Sequence, residues 1–171
     1  MAKQMLVMAL GLTLLVPAFG QQSGSPLPPE DPRLYLLFFQ FHDKVSSAIQ
    51  SKKTQDSVAG GKAEQAFAQK LRVKQQDLQK VTNISHQFVT DLGKWEEDLR
   101  SFVERIRSQK QEPDGASLAQ FDLRKRQLID SAVHQMSTTL SAASWTGLHG
   151  YINDEHRLHT SVVEVKSATP K

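Results

Sequence analysis

The chain contains no cysteine. That excludes a disulfide, a thiol nucleophile and the lipobox cysteine through which exported lipoproteins are acylated. Long hydrophobic runs are missing beyond residue 20. The longest, Leu34–Phe41, has eight residues and includes Gln40, whereas a bilayer span needs about 20. Charge of one sign is scarce as well: 21 Lys and Arg against 18 Asp and Glu give a net charge of +3. A nucleic-acid binder carries a denser basic face. Catalytic signatures are absent too. The chain has no Gly-x-Ser-x-Gly elbow and no Glu-x-x-His of the di-iron bundles. Gly60-Gly61-Lys62 lacks the upstream glycine and the following Ser or Thr of a phosphate loop. The chain therefore reads as non-enzymatic, with no resident cofactor.

What is present begins at the N-terminus. Lys3 precedes the apolar Met5–Val16, and Pro17-Ala18-Phe19-Gly20 ends in small residues. This is the three-part pattern of a secretory signal peptide, 1–20, with cleavage expected after Gly20. It predicts export to a periplasm or the exterior. Without a later span or an acylated cysteine, the product is expected to be released in soluble form. A cysteine-free exported chain fits a bacterial envelope. Residues 21–31 form a Pro/Ser-rich spacer, 32–160 the helical domain, and 161–171 a flexible tail.

Asp31-Pro32 is a helix start, with Asp at the N-cap and Pro at the first helical position. Leu34, Leu37, Phe38, Phe41, Val45 and Ile49 follow at helical spacing and predict a helix over 32–50. Leu34–Phe41 is apolar nearly all round, which predicts core rather than a partner surface. Ser51–Lys62, with Gly60-Gly61, reads as a loop. From Phe67 through Leu71, Lys74, Leu78, Val81, Ser85, Phe88, Leu92, Trp95, Leu99, Phe102 and Ile106, steps of four and three residues alternate. That heptad seam predicts one spine helix over about 62–111, running through Gly93. Glu112-Pro113-Asp114-Gly115 stops it. Ser117 and Gln120 read as a capping box for a third helix to residue 140, and Ser141 caps a fourth carrying Trp145, Leu148 and Ile152. The expected fold is all-α: an elongated bundle with a long spine and three shorter helices packed along it. A monomer is expected, with a coiled-coil dimer through the 67–106 seam as the alternative.

Two clusters invite a functional reading. His149, Glu155, His156 and His159 lie three and four residues apart near the C-terminus, spacing that can bring ligands to one divalent metal. They do not make the His-Glu-x-x-His zinc pattern. The other reading of the histidines is a polar edge to the core. Between Arg33 and Lys80, nine basic residues meet four acidic ones. Lys52, Lys53, Lys70 and Lys74 from this stretch are candidates for a surface meeting a protein or an anionic envelope component. The alternative is a solvated face, as for Glu96-Glu97-Asp98, where Glu96 and Arg100 are spaced to pair.

Leu140-Ser141-Ala142-Ala143-Ser144-Trp145 resembles the motif of exported LTxxQ-motif proteins, small helical periplasmic stress chaperones and metal-resistance proteins. The chain departs at Ser144, where the motif has Gln. Ala116-Ser117-Leu118-Ala119-Gln120 keeps the Gln and loses the Leu. The resemblance implies an all-helical exported protein. Trp145–Arg157 also resembles a segment of exported bacterial proteins, without a function attached. Together these features predict an exported protein that binds a protein or envelope component. A metal-binding protein and a coiled-coil structural element are the alternatives.

Overall fold

In the computed structural model, which describes residues 31–156, Asp31 opens helix α1 (Pro32–Gln55) as expected. Its carboxylate accepts from the Arg33 N–H at 2.8 Å, and Pro32 occupies a first-turn position where no N–H is needed. The expected signal peptide, the spacer up to Glu30, His159 and the tail lie outside the described residues.

The loop expected over 51–62 is replaced by helix. Asp56 alone separates α1 from α2 (Ser57–Lys70). Its N–H donates to the Lys52 carbonyl at 2.8 Å, and its carboxylate accepts from the Val58 and Ala59 N–H groups at 3.0 and 2.9 Å. One residue thus terminates one helix and caps the next. Gly60 serves close packing rather than a turn: a Cβ there would lie 2.3 Å from the Lys53 Cα.

The spine expected over 62–111 is likewise two helices, α2 and α3 (Gln75–Ser108). The break is a Schellman turn built without glycine. Val73 N–H donates to the Ala68 carbonyl at 3.0 Å, and Arg72 takes the left-handed conformation with φ of 58°. Leu71, fully buried, and Val73 anchor the turn in the core. Beyond it α3 runs unbroken through Gly93, as expected.

Helix α4 (Gly115–Thr139) starts two residues earlier than expected. Asp114, not Ser117, is its cap: the carboxylate accepts from Ser117 N–H at 2.8 Å and from Ser117 Oγ at 2.7 Å. Helix α5 (Ala142–Gly150) is capped by Ser141 as expected and passes into a π-helical segment, Tyr151–His156.

The architecture is an all-α bundle. Helix α3 runs antiparallel to α1, as the pairs Phe39–Phe88, Asp43–His86 and Ser46–Thr82 show. It is also antiparallel to α4, through Asp98–Arg124 and Lys80–Thr139. Helix α2 folds back on α1. Leu34, Phe38, Phe39, Val81, Met136, Leu148 and Ile152 are fully buried, each worth about 1.5–3 kcal/mol for the larger side chains. Within Leu34–Phe41, Leu34, Tyr35, Phe38 and Phe39 enter the core, while Leu37 and Phe41 remain 37 % exposed. No helix among the described residues is long and apolar enough to cross a membrane.

Candidate functional site

Two helix N-termini converge on Asp77. This aspartate, fully buried, stands in the first turn of α3, where its charge meets the positive end of the helix dipole. Its Oδ2 accepts from Ser141 Oγ at 2.6 Å, and its Oδ1 accepts from Lys80 Nζ at 2.9 Å. The Ser141 hydroxyl, then Lys80, then Ser144 hold its carboxyl well below the usual range. Ser144 Oγ in turn accepts from the Lys74 N–H at 3.0 Å, capping α3 where Lys74 has no side-chain cap to offer. Ser144 thus joins α5 to α3.

Two of the four expected metal ligands, His149 and Glu155, have described side chains. Glu155 is bound by Arg72. His149 packs its ring against Trp145 and Tyr35, with centroids 5.4 and 6.5 Å away, and Asn153 Nδ2 lies 3.3 Å from its Nε2. Burial, then the Glu155 charge, pushes the neighbouring Tyr151 phenol up. The His156 side chain and all of His159 lie outside the described atoms. Among the described residues no three potential ligands gather around a common point.

The four lysines do not form one patch. Lys53 abuts Gly60 and donates to Glu64 Oε2 at 2.9 Å, with Lys52 beside it at the exposed end of α1. Lys70 ends α2, ten residues beyond Gly60, about 15 Å along the helix. Lys74 begins α3.

A cleft of about 480 Å³ opens among α1, α2 and α3. It holds an Asp43–His86 pair at 3.0 Å. The nearby Ser46 hydroxyl is engaged by His42 Nδ1 at 3.2 Å and Thr82 Oγ1 at 3.4 Å rather than by His86. The base of a Ser-His-Asp relay must hold the nucleophile's proton. These residues do not assemble one.

The far end of α3 and α4 differs from the rest. The α1–α3 pairs place Asp31 level with about residue 97, so α3 continues roughly 15 Å past the start of α1. From residue 96 to residue 128 no side chain is fully buried. This two-helix tip is held by aromatic contacts. Phe121 meets Phe102 at 5.4 Å and Trp95 at 6.5 Å, and Trp95 Nε1 donates to the Phe121 carbonyl at 2.9 Å. Arg105 covers Phe102, and Lys125 covers the Trp95 ring at 5.1 Å. Leu118 and Leu123 are 38 % and 56 % exposed. Asp98 pairs with Arg124 at 2.9 Å, whereas the expected Glu96–Arg100 pair does not form. The sequence signal for the tip was the apolar seam through Leu99 and Ile106. Where α1 begins, known from Asp31-Pro32, marks the level at which that seam loses its cover.

No family model, no curated protein and no solved structure matches the chain.

Proposed function

We propose that this is an exported, non-enzymatic binding protein that engages a protein partner through the α3–α4 tip. One observation carries the reading: among the described residues, the helical hairpin outruns α1, and the side that α1 covers elsewhere has no helix on it. A third helix laid on it would complete the bundle, as amphipathic helices do in hydrophobic grooves. Among the described residues, Asp77, Glu155 and Ser46 are each engaged within the fold. Export rests on Lys3, Met5–Val16 and the small residues Ala18 and Gly20.

A photo-crosslinking side chain placed at Leu118 or Val103, with the same group at the exposed Val58 as control, tests this in producing cells. Adducts of defined mass at the tip and none at Val58 are expected. Equal yields at all three positions, or none at the tip, would refute it.

A further inference from the structure

The uncovered strip has a recognisable origin. Thr82, His86 and Phe88 of α3 meet Ser46, Asp43 and Phe39 of α1, with Ser85 fully buried among them. Eighteen residues are five helical turns at 3.6 residues per turn. The same side of α3 therefore returns as Arg100, Val103, Glu104 and Ile106, now without α1 above it. Leu99, Val103 and Ile106 are half-buried there. Glu96 and Arg107 lie eighteen residues past Leu78 and Val89, both of which pack in the core.

The charges on this strip read Glu96, Arg100, Glu104, Arg107. All four are exposed, and none has an ion-pair partner among the described residues. Signs that alternate at intervals of four, four and three residues are complementary to their own reversal. Against an antiparallel copy of the same helix, Glu96 meets Arg107 of the second copy and Arg100 meets its Glu104. The two-fold axis repeats both pairs. The same register brings Leu99 of each chain to Val103 of the other.

We propose that the tip partner is a second copy of this chain, its α3 packing antiparallel in the place beyond α1 that no described residue fills, with Glu96, Arg100, Glu104 and Arg107 setting the register. This rests on the reading of the tip as a docking surface and names its occupant. Leu99 and Val103 supply the apolar contact, and the four charges select orientation. Unlike the expected coiled coil through residues 67–106, the interface is confined to the last three turns of α3. The same residues upstream are already covered by α1.

The test uses the purified chain in sedimentation equilibrium from low to high micromolar concentration. The wild type is expected to approach twice the chain mass. The pair Glu96→Lys and Glu104→Lys makes the rim wholly basic, and the pair Arg100→Glu and Arg107→Glu makes it wholly acidic. Each double variant is expected to stay monomeric, with unchanged circular dichroism because the four side chains have no intramolecular ion-pair partners. An equimolar mixture of the two should recover dimer, more weakly at high salt. A monomeric wild type at high micromolar concentration overturns the proposal. So does a dimer indifferent to both charge reversals. If the wild type is monomeric while Leu118 and Val103 still crosslink a different protein, the docking reading stands and the second copy is ruled out. If the tip does neither, both fail.

Discussion

His42 makes the stability of this bundle sensitive to acid over a definable window. The ring is fully buried. It lies between Phe67 and Phe38, with centroids 5.1 and 5.5 Å away, and Ser46 engages only Nδ1. Nε2 has no hydrogen-bond partner. Burial drives the imidazole pKa from 6.5 to about 4, against the opposing pull of the Asp43 carboxylate. Above pH 6.5 His42 is neutral folded and unfolded, so its contribution is fully present. Between 6.5 and about 4 the unfolded chain binds a proton that the folded chain does not, and stability falls with falling pH. At 1.36 kcal/mol per unit, the loss between about pH 7 and about pH 4.5 is roughly 2.5 kcal/mol. That is a large part of the 5–15 kcal/mol typical of a domain. Urea unfolding followed by circular dichroism at the two pH values measures it. His42→Leu, of similar volume, should remove most of the drop. The Asp77 carboxylate titrates below this window and leaves it unaffected. If the leucine variant loses as much stability as the wild type, the neutral buried imidazole is not the acid-sensitive group.

Other expectations follow from the same packing. Asp77→Ala strands Ser141 and Lys80 and should cost about 2–4 kcal/mol in urea unfolding, discounted for the partial exposure of Lys80. Gly147→Ala should cost about 1–3 kcal/mol, because its Cβ would lie 2.3 Å from the Arg72 carbonyl oxygen. Gly93→Ala should stabilise by about 1 kcal/mol, since a Cβ there meets nothing within 4 Å on an exposed helix. Calorimetric titration with zinc should show no saturable heat at micromolar metal, because Glu155 is held by Arg72 and the His149 ring is packed between Trp145 and Tyr35. A stoichiometric isotherm would instead support the C-terminal metal site.

Much of the bundle is legible in local chemistry. Asp31-Pro32 and Ser141 act as the caps their residue types suggest, and the apolar spacing from Leu78 to Trp95 marks the buried side of α3. The misreadings share a cause. In sequence Gly60-Gly61 looks like conformational punctuation, but Gly60 is needed for its missing side chain where two helices touch. The real break carries no punctuation: Arg72 takes a left-handed conformation that glycine would adopt at less cost. Burial of Leu71 and Val73 on either side offsets that cost. Because the chain turns there and resumes helix after four residues, Phe67, Leu71 and Leu78 keep the 4-3 spacing, and a single spine is imitated by two helices. The Ser117 cap fails similarly, since Asp114, three residues earlier, starts the helix and accepts from the Ser117 N–H itself.

The tip shows why a site can be written in a sequence and still not be read from it. A heptad pattern reports which side of a helix is apolar, but not whether the cover comes from the same chain. On α3 that side is shared: Trp95 and Phe102 turn to α4, while Thr82 and His86 turn to α1, and the strip five turns beyond them lies past the end of α1. Only the relative lengths and register of α1 and α3 show that the second cover ends near residue 97. Those quantities depend on long-range pairs such as Phe39–Phe88, which no local window contains. The charges bear the same mark. Glu96 and Arg100 look in sequence like an ordinary intrahelical pair, yet they stand apart in the fold while Asp98 crosses to Arg124. Unpaired alternating charge beside an uncovered apolar strip is what an antiparallel partner helix requires, and the sedimentation of the charge-reversed chains decides whether this chain is its own partner.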